Sequence, residues 1–511
     1  MASPDLELKP LSARRTVGRA VVTATAATVV AYAFTLLQQV LLAHALGLSS
    51  AADTLALALV WAVSTTGPIG TTLGSILVPS YVAAREDSSE EDVRRLLSGT
   101  AVVAVVIGIA LAVVTLVAAP FLAGLLGPGL DAAGSERLVR LLRLTAPLDV
   151  LWIAVWVVVM HANARHRYVI AGASFAVPSL PVIAGLLTIP AISVETIAVL
   201  YDIGAIAQVL LVVGIDREAT RQILSRPDFS IVRALIPNLL VLGAAIALMG
   251  AQGVVIRALA SLEGQGGVAT ADYASRLEVA GEQVLLSGLL AVVLTEWSYT
   301  ALSSGDAPFG PRVGGVIARA SGLFVIVGAA VPALAPPVVG LLLYGGRFSE
   351  ANGVAVGSFL TFMSAGISGR LIVLLTARAY IARRRYWRLV GVGFVAIGGT
   401  AVVGLATLAA FGINAVAIAY SAGWIAAAAV SVAGLRVSLA EFRSEALRSG
   451  VVGGFALVVA VAVRNAAPES PVVQLALAGT AFAVTVWLVG HVLGLSTVRE
   501  VEVQVARLAH S

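Results

Sequence analysis

Residues 101–126 read AVVAVVIGIALAVVTLVAAPFLAGLL, a run without a single charged side chain. At 1.5 Å per residue it reaches about 39 Å as a helix, more than the hydrocarbon core of about 30 Å that a membrane presents. A helix apolar on every side must be buried on every side. Runs of this kind recur through all 511 residues, leaving no polar shell to cover them. The chain is 59% hydrophobic and 12% charged, with mean hydropathy +0.97, against about 25% charged residues in soluble domains. The bilayer is its solvent, and the expected fold class is an all-α polytopic membrane protein.

Outward from that run, breaks at charged or Pro/Gly-rich loops divide the chain into about 14 transmembrane helices. They group as a cytoplasmic segment 1–18, six spans over 19–215, a polar linker 216–230, six more over 231–435, two C-terminal helices over 446–494 and a tail 495–511. Spans five and eight are expected over 168–190 and 268–302. An even count places both termini on one side, and basic residues near span ends mark the cytoplasmic one. Alternate connections carry Arg85, Arg94 and Arg95, then Arg165 and Arg167, then Arg217, Arg221, Arg226 and Arg233, then Arg312, then Arg383, Arg384, Arg385 and Arg388, then Arg436, Arg443 and Arg448. The loops between them are nearly bare, with Arg347 and Arg464 the main exceptions. The expected location is a bacterial plasma membrane, multi-pass, with cytoplasmic N and C termini.

Composition removes several functions. Zero cysteines exclude disulfides, thiolate nucleophiles and Cys-ligated metals. Five scattered histidines give no metal-ligand spacing, and no phosphate-binding loop or serine-triad signature occurs. No enzyme chemistry, metal or cofactor is expected. The pI near 9.7 reflects arginines in short loops and not nucleic-acid binding.

Helix breakers interrupt three spans: Gly67, Pro68 and Gly70; Pro178 and Pro181; and Pro332, Pro336 and Pro337. Proline inside a helix frees a carbonyl and kinks the axis, and membranes tolerate this where protein or a water-filled cavity covers it. Plain kinking and a cavity wall both remain open for each. The 216–230 linker and a weak likeness between residues 52–81 and 268–299 suggest two related halves, a feature of transporter folds.

A charge at bilayer depth costs about 2.5–3.5 kcal/mol or more and usually faces a cavity or a partner. The densest group is Asp272, Arg276, Glu278 and Glu282. Asp272 and Arg276 are four apart and can pair on one face. Arg276 could meet an anion, since guanidinium presents a permanently charged fork of donors; an intrahelical pair near a membrane surface is the plainer alternative. Glu296, Asp149, Asp202, Arg257, Arg319 and Arg370 stand alone in the sequence, and for each a snorkelling or helix-end position is expected. His44 reads as a polar tip at an interface.

Five stretches, in order, carry a resemblance. They are residues 41–53, LLAHALGLSSAAD; residues 142–168 with Pro147 and a closing Asn163-Ala164-Arg165-His166-Arg167-Tyr168; Tyr273-Ala274-Ser275-Arg276-Leu277; Leu343-Tyr344-Gly345-Gly346-Arg347-Phe348-Ser349; and Ala377-Arg378-Ala379-Tyr380-Ile381-Ala382-Arg383. Together they resemble the MurJ/MviN family of lipid II flippases, within the multidrug/oligosaccharidyl-lipid/polysaccharide exporter superfamily. The resemblance implies a two-lobed bundle that opens alternately to each membrane face and carries a polyprenyl-diphosphate-linked saccharide to the outer leaflet. Its last two spans would form a lipid-facing groove. Expected partners are that lipid-linked saccharide, membrane lipids and cell-wall synthesis enzymes.

The chain departs from the family pattern where the family carries charge. Ala31-Tyr32 and Gln38-Gln39 stand where the first span usually has Ser-Arg and Arg-Asp, and Val60 stands near the arginine expected in the second. Arg276 alone is retained. Gln252 matches the seventh span, but the acid that would help hold a coupling cation falls near Arg257-Ala258. The expected cargo-binding set is therefore Arg276, Asp272, Tyr32, Gln38, Gln39 and Gln252. Two other readings stay open: a drug or metabolite exporter of the same superfamily, and a transport-inactive scaffold for wall synthesis.

Overall fold

The computed structural model describes residues 11–86, 90–164, 167, 172–223, 225–227, 229–283, 309–435, 439–495 and 498. Its helices are α1 Leu11–Leu46, α2 Ser50–Glu86, α3 Glu90–Leu126, α4 Ala132–Ala164, α5 Ser179–Thr188, α6 Val194–Ile215, α7 Arg217–Ile223 and α8 Ser230–Ser261. They continue with α9 (267–283), α10 Phe309–Leu343, α11 Glu350–Ala382, α12 Tyr386–Phe411, α13 Ile413–Gly434, α14 Leu439–Ala466 and α15 Pro471–Val492. No strand occurs among the described residues, so the all-α membrane class holds.

Twelve of these helices are long and apolar enough to cross a membrane. The run that opened the sequence reading sits in the candidate span Arg94–Leu126. Expected span five is a shorter apolar segment, Gly172–Thr188, broken by a turn at 175–178 before α5 begins. Of expected span eight, α9 is helical, and the remainder with Glu296 lies outside the described residues. So do residues 1–10 of the expected cytoplasmic segment and most of the expected C-terminal tail.

Contacts divide the helices into two groups. In the first, α2 packs on α4, α3 on α4, α4 on α6, and α1 on α5. In the second, α12 packs on α13, α10 on α11, α11 on α13, and α8 on α12. The groups meet where α8 crosses α2 and α3. Helices α14 and α15 pair with each other and lie against α10. Short α7 falls in the polar linker.

The proline-rich helix α10 stays continuous through Pro332, Pro336 and Pro337. Pro336 and Pro337 cannot donate to the carbonyls four residues earlier, those of Pro332 and Ala333. Arg464 of α14 does so instead: its Nη1 donates to Pro332 O at 3.1 Å and Ala333 O at 3.2 Å. The arginine that broke the charge pattern of the loops thus has a packing role.

At the end holding connections 47–49, 127–131, 262–266 and 344–349, backbone groups tie the two halves together. Asp53 in the first turn of α2 accepts hydrogen bonds from Gly266 N and Ala269 N, each 2.7 Å, and so caps α9 from across the divide. Arg347 N donates to His44 O at 2.8 Å, Gly129 N to Ser261 Oγ at 3.1 Å, and the Tyr273 hydroxyl to Gly47 O at 3.4 Å. Gly47 has φ +58°, and a Cβ there would lie 2.6 Å from Arg347 O. The resembling stretches around residues 41–53, 273–277 and 343–349 therefore meet at one end.

Candidate functional site

Between the groups, α1, α2, α8 and α9 enclose a chamber of about 200 Å³ lined by Tyr32, Gln39, Arg257, Asp272 and Arg276. It shares Arg257, Ser275 and Val279 with a larger one of about 760 Å³, which reaches Gln252, Glu278, Glu282, Arg370, Arg378 and Tyr420. It shares Gln39 and Arg276 with a third of about 270 Å³ inside the first group, where Gln38 also lies. All six expected cargo-binding residues thus line adjoining chambers, and Arg276 stands at the junction of two.

Helix α9 supplies the charges. Its spacing puts Asp272 and Arg276 one turn apart, and Arg276 Nε donates to Asp272 Oδ2 at 2.8 Å. The other carboxylate oxygen accepts from Arg257 Nε at 3.1 Å and Nη2 at 2.6 Å, while Arg257 Nη1 donates to Gly253 O at 3.0 Å. Two guanidiniums hold one carboxylate. One to two turns further on, Arg370 of α11 lies between two carboxylates, with Nη1 2.9 Å from Glu278 Oε1 and Nη2 3.0 Å from Glu282 Oε2. The Tyr420 hydroxyl also donates to Glu278.

These contacts correct the expectation for Arg257 and Arg370. Neither snorkels: both point into the bundle and complete ion pairs with α9. Their partners lie 15 and 92 positions away, distances at which helical periodicity carries no information. Asp149 is not an isolated helix-end charge either, since it is buried and accepts from Thr65 Oγ1 at 2.9 Å and Thr115 Oγ1 at 2.8 Å. Arg378, which entered only through the family resemblance, faces the large chamber without an ion pair or hydrogen bond among the described residues.

The neutral polar residues are also placed. Gln38 donates to the Tyr201 phenol of α6, and Gln252 Nε2 donates to Thr400 Oγ1 of α12 at 2.8 Å. Tyr32 and Gln39 line the small chamber directly. Among the described residues no group of His, Asp and Glu has the arrangement of a metal site. Of the sequence breakers, Gly67 and Pro68 line the large chamber and Pro178 the third, so these two act as cavity wall.

In charge terms the cavity is divided. The Arg257, Asp272, Arg276 set carries a formal excess of one positive charge, and Arg276 engages Asp272 through Nε with its Nη edge unbonded among the described residues. That edge has the planar geometry that binds phosphate or carboxylate in a bidentate way. The surrounding helices are continuous, so the cluster is held on rigid elements.

A family model described as lipid II flippase MurJ matches residues 42–468. Among solved structures, a lipid II flippase MurJ in an inward closed conformation superposes with TM-score 0.72 at 17% identity, over 92% of this chain and 99% of that one. A multidrug resistance MATE family transporter of the MOP superfamily superposes with TM-score 0.62 in both its inward-facing and outward-facing conformations, at 14% identity over 83% of this chain. The match covers 99% of the inward-facing chain and 96% of the outward-facing one. At these identities the structures establish the fold. No curated protein sequence matches the chain.

Proposed function

This chain belongs to the MurJ family of lipid II flippases, and from that premise we propose that it moves a polyprenyl-diphosphate-linked saccharide from the inner to the outer leaflet by alternating access. The family is one of membrane transporters. The observation that carries the cargo reading is the free guanidinium edge of Arg276 at the junction of adjoining chambers. A diphosphate cannot enter hydrocarbon unpaired, and an arginine already positioned by Asp272 meets it without the entropy cost of ordering a long side chain.

In this reading Arg276 contacts the diphosphate, Asp272 and Arg257 orient that guanidinium, Tyr32, Gln38 and Gln39 offer hydrogen bonds where relatives carry charge, and Gln252 adds a further amide. Arg378, without an ion pair among the described residues, supplies a further cation in the large chamber. The arginine-rich connections face the cytoplasm of a bacterium, so the end tied by Asp53 faces outward and is closed.

Complementation tests the reading: a bacterium is depleted of its own lipid II flippase and this chain is expressed in its place. Growth with restored outer-leaflet lipid II is the expected result. Correct membrane insertion without rescue would remove lipid II as cargo. Acquired resistance to amphipathic cations would assign the chain to drug export, and rescue that survives loss of the cavity arginines would remove them from the cargo site.

A further inference from the structure

The third chamber, about 270 Å³, differs in chemistry from the other two. Its walls are Trp152 and Trp156, one turn apart on α4, and Phe175 from the broken stretch before α5. The Trp156 and Phe175 rings lie 5.2 Å apart and 53° out of parallel, and Gly70 lets the Trp156 ring lie against α2, since any Cβ there would collide with it. Gln208 of α6, which also lines this chamber, is 1% exposed, and its Nε2 has no hydrogen-bond partner among the described residues. Gln39, 3% exposed, stands beside the Tyr201 phenol, but its Nε2 makes no hydrogen bond of acceptable geometry.

A buried amide left unpaired costs about 1–3 kcal/mol, and the two glutamines that bear these amides both line the chamber, where a small rotation of the side chain would offer them to a guest. The sole charge among the described lining residues is Arg276, at the mouth shared with the small chamber. A cationic guest is repelled there, and a second anion finds no further cation. What fits is a neutral group with an apolar face for the rings and hydroxyl or amide groups for the glutamines, joined to an anion that stays at Arg276. An amide presents both donor and acceptor, as a hydroxyl-bearing ring requires. The volume, just under the range of about 300–1,000 Å³ usual for drug-sized ligands, admits one such ring.

We propose that this chamber is a subsite for an uncharged glycosyl unit, with Trp152, Trp156 and Phe175 stacking on the sugar ring and Gln208 and Gln39 hydrogen-bonding its substituents. It rests on the reading that the cargo carries a saccharide next to its diphosphate. It explains the amides in the first span: charges lost there are replaced by groups that read sugar.

The test uses the purified full-length chain in lipid nanodiscs and three probes: undecaprenyl diphosphate, undecaprenyl-diphosphate-linked N-acetylglucosamine, and free N,N′-diacetylchitobiose. The glycosylated lipid is expected to bind about tenfold more tightly than the sugar-free one. Gln208→Leu is expected to abolish that ratio without changing affinity for sugar-free lipid, with thermal unfolding of the variant checked alongside. Equal binding of the two lipids by the unaltered chain would overturn the subsite while leaving the diphosphate cargo standing. Failure of both lipids, with chitobiose still quenching tryptophan fluorescence in a Gln208-dependent way, would do the reverse. A ratio unchanged in folded Gln208→Leu and Trp156→Ala proteins would also overturn it.

Discussion

Helix α9 carries two ion clusters of inverse stoichiometry. Near its start two guanidiniums, Arg257 and Arg276, hold one carboxylate, Asp272; further on two carboxylates, Glu278 and Glu282, hold one guanidinium, Arg370. The first leaves a cationic edge facing the chambers next to the apolar and amide walls of the first helix group. The second spends its only guanidinium on two acids and ties α9 to α11. Similar residues on one helix thus serve two ends, and the difference lies in which partner is in excess. The excess arginine keeps a free edge, whereas the shared arginine is committed to packing.

The sharpest way to break this comparison is to remove the shared arginine. Arg370→Met leaves Glu278 and Glu282 buried without their counter-ion and is expected to cost about 3–5 kcal/mol, read as a lower unfolding midpoint and reduced membrane abundance. A stable variant would mean that the second cluster does not hold α9 in place. Arg276→Ala removes only the excess guanidinium, with Arg257 still neutralising Asp272. Stability is expected to fall by no more than about 1–2 kcal/mol while flipping in a reconstituted vesicle assay is lost; transport at the original rate would strip the first cluster of its cargo role.

Smaller effects sharpen the contrast between charge and backbone repair. Arg464→Ala abandons the carbonyls of Pro332 and Ala333 in a proline-broken helix and is expected to cost about 1–3 kcal/mol, with increased hydrogen exchange confined to α10 and α14. Gln252→Leu should cost roughly 0.5–1.5 kcal/mol for its bond to Thr400, because a similarly sized apolar side chain replaces it. A loss as large as that of Arg370→Met would show that Gln252 belongs to a charged network.

The sequence yields what periodicity and composition encode. Residues 101–126 announce a span without any partner, and Asp272 with Arg276 announces a pair because both lie on one helix. The partners of Arg370 cannot be read the same way, since nothing local relates α11 to α9. The two broken regions show the same limit. Pro178 and Pro336 are equivalent as text, yet one helix breaks into a turn beside a chamber and the other runs on, with Arg464, 132 positions beyond Pro332, bonded to the carbonyl that Pro336 leaves free. Gln38 and Gln39 are legible as lost charge, but their orientation toward Tyr201 of α6 is not.

Asp53 holds the first turn of α9, and Arg276 sits seven residues along the same rod. At 1.5 Å per residue the two points are about 10 Å apart on a stiff body, so they share one degree of freedom. A pull on the guanidinium along the helix axis arrives at the carboxylate as strain on two hydrogen bonds, and releasing those bonds moves the guanidinium. An axial shift of the guanidinium and a shift of the Asp53-capped end of α9 are therefore one rigid-body movement.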